Sequence, residues 1–305
     1  MNKSFLQTEE WLDFQELIGH KVWRFDDGQI RANIIQHKIP FGKSYLYIPH
    51  GPEIFFDNIS AGLKNEVDNF LGYLNDLGKK NKSIFVKMEP LSDVVSETIF
   101  RKRIKKSKKQ IQPNKTVIMD LRLSNEELLS RMHHKTRYNI KVADKYGIEV
   151  KPSHDIDLFW MLLKKTAKRD RFSSHTKDYY TKLLNFLGEK GEIKTDMLLA
   201  YKENEPIAGA VILRYEGTGY YLHGASDHKF RSVMASYALH WGIMRYLKEN
   251  SIMFYDLWGV DAKKWPGVTR FKLGWGGNLK EHPGSFDLPI SKFWYIIYNL
   301  SRKIF

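Results

Sequence analysis

Residues Lys194 to Ser226 read KTDMLLAYKENEPIAGAVILRYEGTGYYLHGAS, and the reading of this run decides the fold. Three β-like segments follow one another in it, Lys194–Tyr201, Pro206–Tyr215 and Gly219–His223. A long helix, Ser232–Glu249, comes next, and then the strand Met253–Trp258. Upstream lie a strand at Ile148–Pro152 and helices at Asp155–Arg169 and Thr176–Gly188. Strands mixed with helices in this order predict an α/β (α+β) protein with a mixed, mostly antiparallel sheet flanked by helices.

The first half repeats the alternation. A helix over Glu9–Ile18 is capped by Thr8. Strands are predicted at Lys21–Phe25, Ile30–Ile39 and Tyr45–Ile48, then a helix at Leu63–Leu77 and a buried strand at Ser83–Met88 stopped by Glu89-Pro90. Seven of the nine residues from Arg101 to Lys109 are Lys or Arg. After them come a strand at Thr116–Leu121, a helix started by Ser124 with Glu127 placed for a capping box, and a following basic helix over Arg131–Tyr146 that Gly147 ends. A chain of 305 residues is long for one core and short for three. The division falls in the Pro-containing stretch near Gln110–Asn114, giving a first domain of 1–112 plus 283–305 and a second of 113–282.

Composition bounds the function. Hydrophobic residues make up 42% and charged residues 28%, a globular balance. A net charge of +14 favours polyanionic partners such as RNA, anionic lipid head groups and phosphorylated substrates. Without cysteine there are no disulfides, no thiolate catalysis and no Cys-zinc sites. The opening MNKSFLQTEEW lacks the apolar core of a signal peptide, and no apolar run approaches the ~20 residues of a membrane-spanning helix. The aromatic stretch Phe293–Tyr298, followed by Arg302 and Lys303, reads as a core helix or an interfacial anchor.

Four stretches carry chemistry. RMHHKTRYNIKVA (Arg131–Ala143) forms an amphipathic basic helix, with Met132, Thr136, Ile140 and Ala143 on one side. TAKRDRFSSHTKDYY (Thr166–Tyr180) breaks from helix to polar loop to helix, a common way to present side chains to a cleft. In YYLHGAS (Tyr220–Ser226) an aromatic strand ends at small residues. YDLWGV (Tyr255–Val260) and RFKLGWGG (Arg270–Gly277) bring glycines dense enough for close backbone approach. The adjacent His133 and His134 diverge by about 100° on a helix, so they are not read as metal ligands, and no metal site is expected.

Taken in order, these stretches resemble the Fem (FemABX) family of peptidoglycan-bridge aminoacyltransferases. The likeness covers nearly the whole chain, from FLQTEEW (Phe5–Trp11) through YIPHGP (Tyr47–Pro52), Gln112-Pro113 and KTRYNI (Lys135–Ile140), its most specific element, to the tyrosine-rich strand ending Gly224-Ala225-Ser226, the Tyr255-Asp256-Leu257 strand and the Phe271-Lys272 pair. It implies two tandem acetyltransferase-like (GNAT-like) domains. The segment between Tyr179 and Leu198 is too short for the coiled-coil arm of some members, so the chain resembles the compact, arm-less type. The implied reaction moves an amino acid from aminoacyl-tRNA, a co-substrate, to a stem-peptide amine of a peptidoglycan precursor, lipid-linked or nucleotide-linked, with no cofactor. A cytoplasmic monomer with peripheral contact at the inner membrane surface is implied too. Where some members hold the precursor's phosphates with an arginine and a lysine, the resemblance places the arginine position at His175 and the lysine position near Gln15; it sets His223 in place of a tyrosine and keeps Tyr179.

Aminolysis of an activated ester needs orientation, proton removal and a stabilised oxyanion. The resemblance points to Lys272 for charge stabilisation and Phe271 for positioning it or stacking on the terminal adenine. Glu89 and Asp256 are candidate bases, each with a plainer reading: strand termination for Glu89, a buried hydrogen-bonding carboxylate for Asp256. Arg169, His175, Tyr179, Tyr221 and His223 are candidate substrate contacts. Lys135, Arg137, Lys141, Lys105 and Lys106 are candidate tRNA contacts. Two rivals stand: an acyl-CoA-dependent N-acyltransferase, which would ordinarily show a Gly-rich phosphate loop where this chain has KFRSVMAS (Lys229–Ser236), and a basic RNA-binding module without catalysis.

Overall fold

The computed structural model describes residues 3–55, 63–93, 95, 104–107, 109–189 and 191–304. Of the basic run Arg101–Lys109, therefore, Arg101, Lys102, Arg103 and Lys108 lie outside the described residues. The chain divides into two compact units, Met1–Asn114 with Glu281–Phe305, and Lys115–Lys280.

The first unit opens with α1 (Glu9–Leu17), whose Thr8 side chain accepts from the Trp11 amide. Strands β1 (Lys21–Asp26), β2 (Ile30–Ile39) and β3 (Lys43–Ile48) form an antiparallel meander, and the short β4 (Glu53–Ile54) pairs with β2. Helix α2 (Leu63–Lys80) then carries the chain to β5 (Ser83–Met88), which lies parallel to β3. A parallel neighbour needs such a crossover, because a hairpin can only reverse the chain.

Its sheet is completed from the far end of the chain. After β6 (Lys105–Lys106), the C-terminal β14 (Phe286–Pro289) inserts antiparallel between β5 and β6, and α9 (Lys292–Ile304) follows. One buried ion pair fixes this return. The Lys87 ammonium lies 2.7 Å from Asp287, with both side chains under 5% exposed. It also reaches Ser107 Oγ at 2.8 Å, Ser285 Oγ at 3.0 Å and the Lys109 carbonyl at 3.0 Å. The Tyr295 hydroxyl donates to the other Asp287 oxygen at 2.9 Å, tying α9 to the sheet. A buried charge is tolerable only with partners of this quality.

The second unit follows the same plan with other residues. Its strands lie in the order β13-β7-β12-β11-β10-β9-β8, where β7 is Lys115–Asp120, β8 Ile148–Pro152, β9 Lys194–Lys202, β10 Glu205–Tyr215, β11 Thr218–Ser226, β12 Phe254–Gly259 and β13 Asn278–Glu281. In this sheet β11 and β12 run parallel, joined by α7 (Ala235–Glu249), while β7 with β12, β10 with β11, β9 with β10 and β8 with β9 pair antiparallel. On β10, Ala208, Ala210 and Ile212 join the core formed with Leu239, Ile243 and Leu247 of α7. Gly209 points the other way, where a side chain would meet Phe159 of α5 (Ile156–Asp170). With α6 (Lys177–Glu189) packing on β9, helices cover both faces of this sheet.

The structure shifts one boundary. The helix started by Ser124 is α3 (Asn125–Arg131) and takes in Arg131, and the basic helix expected over Arg131–Tyr146 begins only at His134, as α4 (His134–Lys145). Met132 is extended, and the His133 ring caps α4 by accepting from the Lys135 amide at 3.2 Å. Ser124 and Glu127 close a reciprocal capping box on α3, as their spacing predicts.

Candidate active site

Strands β11 and β12 touch over only three pairs: Thr218 with Phe254, Gly219 with Tyr255, and Tyr220 with Asp256. No further pairs follow Tyr220, and a cleft of about 290 Å³ occupies the second unit at this level. Its wall includes Arg169 from α5, Tyr221 and Ser226 from β11, His240 from α7, and Phe271 and Lys272 from α8 (Pro266–Leu273).

Lys272 is 8% exposed, and its ammonium donates to the carbonyl of Gly259, at the end of β12, at 2.9 Å. That ammonium also lies 5.7 Å from the centre of the Tyr221 ring. Burial lowers its pKa to about 8, and the negative charge of Asp256 works against the fall. The group therefore stays largely cationic at neutral pH, in a place where water screens it poorly. Phe271 stands between the rings of Tyr237, at 5.0 Å, and His240, at 5.2 Å.

His240 is the cleft residue that the sequence reading passed over. It is 1% exposed, and its Nδ1 pairs with the Tyr255 hydroxyl at 3.0 Å. Burial and then the charge of Lys272 lower its pKa to about 3, so the ring is neutral at physiological pH. The signal was present in the periodicity: His240 lies among Leu239, Ile243, Met244 and Leu247 on the buried side of α7. A histidine on that stripe must be satisfied by a specific partner.

Of the four candidate catalytic residues, three belong to the second unit and Glu89 to the first. Lys272 and Phe271 share the cleft wall, and Asp256 lies behind it, close enough for its charge to act on Lys272. Asp256 accepts from Trp258 N at 2.7 Å and from the Thr116 hydroxyl, so it is the buried hydrogen-bonding carboxylate of the plainer reading. Its pKa is raised by desolvation, and its charge acts on the neighbouring Lys272. Glu89, in the first unit, accepts from Tyr47 Oη at 2.6 Å, Ile111 N at 2.7 Å and Gln112 N at 2.9 Å. A carboxylate holding three donors organises the loop after β6 and has little capacity left for substrate protons.

The candidate substrate residues fall on two sides of the sheet, and a bulge is the reason. Val211 pairs with His223 and Ile212 with Tyr221, which leaves Leu222 as an extra residue in β11. An inserted residue breaks the alternation of faces. Tyr221 accordingly meets His240 of α7, at 4.5 Å between rings, while His223 meets Tyr180 of α6 at 5.0 Å. On that second side His175 stacks on Tyr179 at 3.9 Å, and His223 lies 5.9 Å from His175. Burial first, and then the charge of His175, lower the His223 pKa to about 3. Arg169 borders the cleft with its guanidinium on Asp170 at 2.7 Å and on the Ser226 carbonyl at 3.3 Å. Gln15 is buried, 7% exposed, in α1. The room left by Gly224 is taken by a neighbour: a Cβ there would stand 1.6 Å from the Tyr221 hydroxyl.

On α4, Thr136, Ile140 and Ala143 are buried as the periodicity predicts, as is Met132 ahead of the helix, and Lys135 and Lys141 are exposed. Arg137 is turned inward. Its guanidinium donates to the carbonyls of Met132 and, at 3.4 Å, Leu129, closing the end of α3. Lys105 and Lys106 are exposed on β6 of the first unit. Among the described residues, no group of three or more acidic or histidine side chains is placed to hold a metal ion. No described helix is long and apolar enough to cross a membrane.

Comparison with known proteins adds three findings. The chain matches the model of the FemAB family over residues 1–121, 102–198 and 192–303. It is similar to a lipid II:glycine glycyltransferase of Staphylococcus epidermidis, 23% identical over 388 residues, covering 99% of this chain and 91% of the relative. The corresponding protein of Staphylococcus aureus is 22% identical over 392 residues, with the same coverage. Both alignments are longer than the 305 residues of this chain, so the relatives carry stretches without a counterpart here. Among solved structures, FemX superposes with a TM-score of 0.80 at 21% identity, over 97% of this chain and 94% of that one. A tandem GNAT protein from the clavulanic acid biosynthesis pathway superposes with a TM-score of 0.55 at 9% identity, over 92% and 94%. The fold is thus that of paired GNAT-like domains.

Proposed function

The chain belongs to the FemAB family, and from that premise we propose that it transfers an amino acid from aminoacyl-tRNA to a stem-peptide amine of a lipid-linked peptidoglycan precursor. It is an aminoacyltransferase, similar over nearly its whole length to enzymes named for glycyl transfer to lipid II. The observation that carries the reading is the Lys272 ammonium, buried in the wall of the cleft and held on the Gly259 carbonyl at the end of β12.

The acceptor amine attacks the ester carbonyl. A C–N bond forms, the ester C–O bond breaks, and the tRNA ribose hydroxyl leaves with a proton. Between these events a tetrahedral oxyanion carries the charge. Lys272 gives one N–H to Gly259 and keeps two for the cleft, so its position is set before charge develops, the condition under which such a donor accelerates reaction most. Phe271 and His240 hold neutral walls beside it, which keeps the local dielectric low. The exposed Lys135 and Lys141 of α4 offer phosphate contacts for the tRNA. The lipid-linked acceptor is favoured by the family resemblance, which matches His175 to the loop arginine that grips a nucleotide-linked precursor's phosphates in some members; here His175 stacks on Tyr179 at 3.9 Å.

Purified protein, charged tRNA and lipid-linked precursor should yield a branched stem peptide, read by mass spectrometry. Product formed only from the nucleotide-linked precursor would move the acceptor assignment. Product formed from acyl-CoA and not from aminoacyl-tRNA would replace the donor, and RNA binding with no transfer from either would remove the enzymatic reading.

A further inference from the structure

Helix α9 is apolar on two sides. Its inner side is accounted for: Tyr295 is 9% exposed, and Trp294 and Tyr298 pack with it against Ile84 and Phe85 of β5. The outer side is not. Phe293, Ile296, Ile297 and Leu300 are 67%, 57%, 38% and 53% exposed. Their spacing of three, one and three residues puts them in one stripe. A surface helix ordinarily presents polar residues there, and a contiguous apolar stripe marks a surface that something else covers.

The surroundings say what. Lys292 is exposed at the start of the helix. The Lys43 ammonium lies 4.6 Å from the Trp294 ring, and that of Lys105 lies 6.0 Å from the Tyr295 ring. Lys105 and Lys292 also wall a groove of about 760 Å³ beside α2, together with Asp68 and Asn75. Two residues before Lys43, in the turn between β2 and β3, Phe41 is 87% exposed. Aliphatic side chains edged by aromatic rings and ammonium groups match the boundary of a bilayer, where acyl chains meet phosphates. A second copy of this chain fits less well, since it would set lysine against lysine and one net charge of +14 against another.

We propose that α9 lies flat on an anionic bilayer surface, with Phe293, Ile296, Ile297 and Leu300 in the acyl boundary and Lys43, Lys105 and Lys292 on lipid phosphates. This docking is independent of the transfer chemistry, so binding and activity can fail separately. The full chain is sedimented, without tRNA or acceptor, with vesicles of phosphatidylcholine alone or of phosphatidylcholine with phosphatidylglycerol. The parent chain binds the anionic vesicles, less at high salt, and binds the neutral ones weakly. The Ile296→Glu, Leu300→Glu double variant loses on the order of tenfold or more in partitioning. Lys43→Glu and Lys292→Glu each lose roughly fivefold or more. These side chains are not buried, and an unchanged melting midpoint confirms the variants as folded. The proposal is overturned by variants that sediment like the parent, or by a parent that stays in solution with both vesicles. A parent dimer that the Ile296, Leu300 variant splits into monomers would overturn it too, giving the face to a second copy.

Discussion

Lys272 sits near its own titration point, which makes its role measurable. With a pKa lowered to about 8 by burial, the ammonium is the dominant form at pH 7 and the amine above pH 9. If the charge stabilises the oxyanion, turnover falls as pH rises through about 8; a lysine acting as a base would give the opposite slope. Such a profile, taken with Lys272→Arg as the variant whose charge does not titrate there, separates the two roles. Beside it, Gly224 has no tolerance for a side chain, because the Tyr221 hydroxyl occupies the space. Gly224→Ala should displace that ring and cost about 1–3 kcal/mol of stability, seen as a lower melting midpoint together with lower turnover. At this scale the sequence was half legible. The resemblance pointed to Lys272 and Phe271, but the hydrogen bonds that occupy Asp256 and Glu89 come from Thr116, Tyr47 and the amides of Ile111 and Gln112. Most of those partners are far away along the chain.

Between elements, the informative features are a break and a bulge. The break at Met132-His133 frees the end of α3, and Arg137 closes it. Arg137→Ala should therefore lower stability by about 0.5–1.5 kcal/mol while leaving the salt dependence of tRNA binding close to that of the parent. Lys135→Ala and Lys141→Ala should do the reverse, each reducing the slope of log affinity against log salt by about one. Filter binding at several salt concentrations distinguishes the two behaviours. Helical periodicity revealed the buried side of α4, because burial repeats at 3.6 residues whatever the helix packs on. It did not reveal the break, since a histidine can occupy either a helix interior or its cap. The extra Leu222 was equally hidden. A strand's own sequence does not say which residue lacks a partner, and that single insertion sends Tyr221 and His223 to opposite faces.

For the molecule as a whole, the chain leaves the first unit after Asn114 and comes back at Glu281. The return is held by Lys87 and Asp287. Lys87→Met leaves a buried carboxylate without its cation, and should destabilise the chain by about 3–5 kcal/mol, read as a large fall in the denaturant midpoint. Layers and sheet type were legible from the order of strands and helices. The insertion of β14 between β5 and β6 was not, because it depends on residues about 200 positions apart finding each other. Nor did order alone reveal that β11 and β12 pair over only three residues beside the cleft. On that arrangement the account of function depends, and single-turnover transfer from aminoacyl-tRNA to lipid-linked precursor, compared between the parent chain and Lys272→Ala, tests it most directly. The account predicts a rate lower by about 10²–10³-fold in the variant, with precursor affinity nearly unchanged. A variant that transfers at the parent's rate would contradict it.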